Sequence, residues 1–148
     1  MEQSDRIEIE QTAIRLLTAR EHSRRELLAK LAARGYAEEE IRRVLDELAE
    51  KGLQSDERFA QSFIESRVRK GYGPLRIRAE LHERGLDDGL IADQLEAFDL
   101  DWSELLRRVH DQKYGAELAT DRKEMARRAR FLEYRGFPGD LIGHLLFN

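Results

Sequence analysis

The stretch SDERFAQSFIESRVRKGYGPLRIRAELHERGL, residues 55–86, holds two helical patterns joined by a short glycine and proline hinge. Phe59, Phe63 and Ile64 recur at helical spacing before the hinge, with Val68 a fourth candidate, and Leu75, Ile77 and Leu81 do so after it. Gly71 is placed to stop the first helix. Gly73-Pro74 opens the second, with proline at the first helical position, where its missing N–H leaves no hydrogen bond unmade. The middle of the stretch, RVRKGYGPLRIR at 67–78, carries five basic residues and no acid in a chain of formal net charge −4.

Working outward, the Arg84-Gly85-Leu86 corner that closes this stretch has two copies, Arg34-Gly35-Tyr36 and Arg135-Gly136-Phe137. The three glycines stand 50 and 51 residues apart. Leu31, Leu81 and Leu132 precede them by four positions; Ile41, Ile91 and Ile142 follow by six, and Leu45, Leu95 and Leu146 by ten. A fixed period of this size marks a helical array. At each corner a helix ends, glycine takes the left-handed conformation, and the next apolar residue folds back on the last turn. The repeated leucines and isoleucines are expected to form the core.

The pattern predicts an all-α chain of three tandem three-helix repeats, 1–53, 54–99 and 100–148, in an elongated, curved array. In repeat one, Ile7, Ala13, Ile14 and Leu17 give a rough apolar stripe. Ser23 with Glu26 reads as a capping box, and Glu38 to Glu40 suit the positive end of a third helix. In repeat two Asp87 is the expected cap of the last helix. In repeat three Asp101 with Glu104 starts a helix that Gly115 stops. Thr120 is the expected cap of the next, and Pro138 opens the last. No three-helix unit buries enough to be very stable alone, so neighbours are expected to pack.

Composition narrows the class. The chain has 148 residues, 41% hydrophobic and 38% charged, against roughly 25% charged in an average domain. That favours many surface-exposed helices. With no cysteine, disulfides, thiolate metal sites and cysteine nucleophiles are excluded. The opening MEQSDRIEIEQ lacks the basic and apolar regions of a signal peptide, and no apolar run approaches the roughly 20 residues of a membrane span. A soluble, cytoplasmic protein is expected.

Little points to catalysis. His22, His82, His110 and His144 show no metal-ligand spacing. Gly71-Tyr72-Gly73 lacks the lysine of a phosphate loop, and no serine lies in a nucleophile elbow. No cofactor, no metal and no enzyme activity are expected. What remains is charge layout. Segment 67–78 is basic, and so is 122–135, with Arg127, Arg128 and Arg130, while 87–104 carries seven acids and no base. Solvated faces with weak surface ion pairs would account for single charges. Alternating sign along an array suits docking on another macromolecule. The acidic total favours a protein partner, with DNA as a second. Tyr72 and Trp102 could stack on bases, although Trp102 lies on an apolar stripe.

Ser55-Asp56-Glu57-Arg58-Phe59-Ala60, Arg67, Lys70-Gly71-Tyr72-Gly73-Pro74, Ile77, Leu81 and Gly85-Leu86 together resemble the RecX family of bacterial RecA regulators. The resemblance implies tandem three-helix repeats and binding of the RecA filament. It further implies inhibition of recombinase and ATPase activity by blocked extension or promoted disassembly, hence a role in DNA repair and the SOS response without catalysis, and a monomer that can also bind single- or double-stranded DNA. The expected contact residues are Arg67, Arg69, Lys70, Tyr72, Arg76 and Arg78, with Arg127, Arg128 and Arg130. The competing reading is a helix-turn-helix DNA-binding transcription regulator. Its recognition helices would be 38–51 and 88–98, which are acidic, the wrong sign for a major groove.

Overall fold

The structure is a computed structural model that describes residues 2–147, with side chains from Ser4 onward. Residues 1 and 148, the outermost of the first and third repeats, lie outside the described residues. These form helices only: α1 (Glu2–Ala19), α2 (Arg24–Ala33), α3 (Glu38–Glu50), α4 (Asp56–Arg69), α5 (Pro74–Glu83), α6 (Asp88–Ala97), α7 (Trp102–Tyr114), α8 (Arg122–Tyr134) and α9 (Gly139–Phe147). They pack in threes, α1–α3, α4–α6 and α7–α9. Among the described residues no helix is long and apolar enough to cross a membrane.

The periodic positions are the core. Leu31, Leu81, Leu132, Ile41, Ile91, Ile142, Leu45, Leu95 and Leu146 are all buried. At each corner glycine is left-handed: Gly35 has φ 94°, Gly85 φ 90° and Gly136 φ 98°. In the second and third corners the next apolar residue turns back as its spacing requires. Leu86 N–H donates to the Leu81 carbonyl and Phe137 N–H to that of Leu132, which burys both side chains and satisfies carbonyls that a helix end leaves open. Caps fall mostly where the sequence puts them. Ser23 and Glu26 form the full capping box, Ser55 and Asp87 cap α4 and α6, and Asp101 caps α7.

Four local expectations change. Ile7 is 57% exposed and Ile14 also lies outward, whereas Ile9 and Ala13 are buried. Ile7 and Ile14 share one face of α1, Ile9 and Ala13 another, and α1 packs on α2 and α3 from a single side. Leu75 is exposed because its backbone N–H is held by Gly136, which turns that first turn of α5 outward. The cap of α8 is Asp121, whose carboxylate takes the Lys123 N–H; Thr120 sits one residue too early.

The repeats join in one recurring way. The residue capping the second helix of one repeat donates a hydrogen bond to the arginine carbonyl of the next repeat's corner. Between repeats one and two the donor is the Ser23 hydroxyl, 2.8 Å from the Arg84 carbonyl. Between repeats two and three it is the Gly73 N–H, 2.8 Å from the Arg135 carbonyl, followed by Leu75 N–H to Gly136 at 2.9 Å. Each joint thus satisfies a last-turn carbonyl across a repeat boundary. The cores differ: repeat one keeps its own, around Leu27, Leu31 and Ile41, while repeats two and three share one, with Phe137 and Leu86 in the same cluster.

Polar groups complete the first joint. Asp56 accepts the Arg24 N–H at 2.8 Å and the Gln54 amide at 2.9 Å. His22 is buried, with Nδ1 3.0 Å from the Arg20 carbonyl and Nε2 2.9 Å from Lys30 Nζ. The ring therefore donates through Nδ1 and accepts the ammonium at Nε2, which requires the neutral form. Burial holds His22 below its ordinary value; the Arg20 carbonyl opposes this, and the Arg20 and Lys30 charges reinforce it. In the unfolded chain the ring gains its proton near pH 6.5, while the folded ring resists it. The contribution of neutral His22 is full above that pH and is lost as pH falls toward the folded value. The urea midpoint is expected to fall between pH 7.5 and about pH 5.5, and His22→Gln, which cannot titrate, should flatten that slope. An unchanged slope in the variant would show that the ring is not the titrating group.

Candidate partner-binding surface

The basic hinge is where repeat three meets repeat two. Gly71 N–H donates to the Val68 carbonyl and Tyr72 N–H to that of Arg67, ending α4. Gly71 and Gly73 are buried. A Cβ on Gly73 would lie 2.5 Å from the Gly136 carbonyl oxygen, so only glycine permits this approach of two backbones. From the other side, Arg135 Nη1 donates to the Lys70 carbonyl at 2.7 Å and that of Gly71 at 3.3 Å.

Cations and aromatic rings alternate through the joint. Arg84 and Arg67 lie on Phe63, 4.7 and 4.5 Å from its centroid. Arg76 and Arg135 lie on Tyr72 at 4.3 and 4.9 Å. Arg135 reaches Phe131 at 5.3 Å, Lys113 covers the same ring at 4.4 Å, and Arg128 covers Tyr114 at 4.5 Å. Ordinary proteins hold about one such pair per 70–80 residues, so this row is a built feature rather than background. Each contact is individually modest; together they lock the side chains that span α4, α5, α7 and α8.

This divides the expected contact residues into two groups. Arg67 is bound inward: its Nε is 2.9 Å from Glu80, and both side chains are only about a fifth exposed. Arg76 lies between Tyr72 and Tyr134 and donates to the Tyr134 carbonyl. Tyr72 is half-buried under two guanidinium groups, which fill its ring faces. Arg128 is held by Glu124, the Glu117 carbonyl and the buried His110. Tyr114 beside it has its phenol pushed up by burial and by Glu124. The second group faces solvent. Lys70, Arg78 and Arg130 are exposed and make no ion pair among the described residues. Arg69 and Arg127 pair within their own helices with Glu65 and Glu124, but both remain about 70% exposed, where such pairs are weak.

Residues that the basic-segment reading passes over complete the joint: Phe63, Arg84, Lys113, Phe131 and Arg135. Arg84 and Arg135 belong to the corner motif, so the period itself marks them; Lys113 has no sequence signal, since only packing brings it to Phe131. Among the described residues no group of histidines and carboxylates could hold a metal ion.

Three linked helical triplets with a cation-rich joint define a tandem-repeat regulator built for docking. Models of the first, second and third three-helix domains of RecX match residues 11–48, 55–95 and 99–146. The chain is 46% identical over 140 residues to the "Regulatory protein RecX" of Pseudomonas syringae pv. tomato, covering 95% of this chain and 90% of that protein. It is also 46% identical over 134 residues to the protein of the same name from Halorhodospira halophila, covering 90% and 83%. The crystal structure of RecX from Lactobacillus salivarius superposes with a TM-score of 0.80 at 22% identity, over 96% of this chain and 94% of that one. The chain belongs to the RecX family of regulatory proteins.

Proposed function

We propose that this chain regulates the RecA recombinase by docking on its nucleoprotein filament, and that it lowers recombinase and ATPase activity by blocking filament extension or promoting disassembly. It does so without chemistry of its own, as a cytoplasmic monomer acting in DNA repair and the SOS response. The observation that carries this reading is the separation of roles among its cations. The inner arginines and Tyr72 hold the joint, while Arg69, Lys70, Arg78, Arg127 and Arg130 remain available on α4, its cap, α5 and α8. Cations fixed on a rigid array suit an anionic partner surface and steer its approach. Binding acts on assembly by favouring one filament state over another.

A duplex-reading transcription regulator fits less well. α3 begins Glu38-Glu39-Glu40 and its arginines pair with them along the same helix, and α6 has no base. DNA remains a weaker second partner in this proposal. The test is RecA ATPase on single-stranded DNA, with filament length followed by electron microscopy. Stoichiometric protein is expected to lower turnover and shorten filaments. Undiminished ATPase with no pull-down of the filament would end the proposal.

A further inference from the structure

A cleft of about 300 Å³ opens beside the second joint, lined by Lys70, Gln112, Lys113, Phe131 and Arg135 together with the Gly71 backbone. No carboxylate lines it. The nearest acid in sequence, Asp111, is turned to His110 Nδ1 at 2.8 Å. Lys113 and Arg135 share the Phe131 ring, and neither they nor Lys70 form an ion pair among the described residues. Arg135 uses Nη1 for the Lys70 and Gly71 carbonyls; its Nη2 and Nε–H make no further hydrogen bond there. Like charges gathered without a counter-charge repel one another, and more strongly in a cleft than in open water.

We propose that this cleft, where Lys70, Lys113 and Arg135 converge around Phe131 without a carboxylate, binds a phosphate group and thereby tightens the joint between repeats two and three. A tetrahedral oxyanion accepts from the free guanidinium N–H groups, the two ammonium groups and the Gln112 amide, and removes the repulsion. Guanidinium groups recognise such anions by charge-assisted hydrogen bonds. The cations come from both sides of the joint: Lys70 caps α4, Lys113 lies in α7 and Arg135 caps α8. An anion held by all three therefore stabilises the docked arrangement, in proportion to its occupancy. The ring faces of Phe131 are taken by cations, so recognition falls on phosphate rather than on a base. The phosphate is carried either by a free nucleotide or by a DNA backbone.

The inference is independent of the filament, so its test contains no recombinase. The intact chain is titrated with inorganic phosphate, with thymidine monophosphate and with a thymidine oligonucleotide, at constant ionic strength, while the amide resonances of Gly71, Gln112 and Lys113 are followed. Saturable shifts at these amides are expected, together with a rise in melting temperature. Both should weaken by about tenfold or more in Lys70→Gln/Lys113→Gln, whereas Lys51→Gln in repeat one should change nothing. Arg135 is left intact because it holds the joint. Tighter binding of the oligonucleotide than of the monophosphate, with a salt slope reduced by about 0.7 per lost phosphate contact, would assign the phosphate to DNA. Equal or tighter binding of the monophosphate would assign it to a nucleotide. Absence of saturable shifts with all three probes, or undiminished binding in a double variant whose spectrum shows it folded, would overturn the proposal.

Discussion

Replacing Gly136 by alanine is expected to lower stability by about 3 kcal/mol, whereas the same change at Gly35 should cost only about 1 kcal/mol. Both glycines are left-handed, with φ 98° and 94°, so both variants incur the steric cost of that conformation, about 1–2 kcal/mol. They differ in what surrounds them. A Cβ at Gly35 meets nothing within 4 Å. At Gly136 it runs into the Arg76 Cβ and lies 2.6 Å from the Arg76 backbone nitrogen. That obstacle is backbone of the next helix, which cannot swing aside as a side chain can, and overpacking of this kind adds about 1–3 kcal/mol. Gly85 lies between the two: its Cβ would meet the Arg25 side chain at 2.5 Å, part of which can move. Urea denaturation of the three alanine variants should therefore rank them Gly35, Gly85, Gly136. Equal losses at Gly35 and Gly136 would mean that the close joint contributes nothing to stability.

The largest functional effect is expected from reversing the outward cations. Arg69→Glu/Lys70→Glu/Arg78→Glu should weaken filament binding by about a hundredfold, since each reversed charge turns an attraction into a repulsion worth about a kcal/mol near a surface. Circular dichroism and the urea midpoint should stay close to the parent. Lys70 and Arg78 leave no ion pair behind, and Arg69 gives up only an exposed pair with Glu65. Reversing Arg67 would be a poor test. It would set a second carboxylate against Glu80 at a half-buried site where the native pair stands at 2.9 Å, so lost binding could reflect a lost fold. If the triple variant, folded as the parent, inhibits RecA ATPase fully, the outward cations do not contact the filament.

Much of the architecture was readable from the residues because it is written in local chemistry repeated three times. Ser23 with Glu26, Asp87 and Asp101 start helices through side chains that reach only the next turn. Corner glycines stop them by a backbone preference no other residue shares. Leucine and isoleucine at fixed offsets define buried faces whatever the neighbouring repeat does. Reading failed where one helix offers two apolar faces, as with Ile7 against Ile9, and where a backbone contact overrides the pattern, as at Leu75.

The cationic hinge is the clearer division. Sequence alone determined that a basic, glycine-rich turn lies between two helices of the middle repeat, since charge and turn preference belong to the residues themselves. Tertiary structure alone decided that repeat three docks there, that Arg67, Arg76 and Arg128 turn to rings and carboxylates, and that Lys113 and Arg135 arrive from another repeat to form a cleft without acids. The physical reason is range. A cap or a corner is fixed by neighbours a turn away, whereas a guanidinium finds its partner only after helices far apart in sequence have packed.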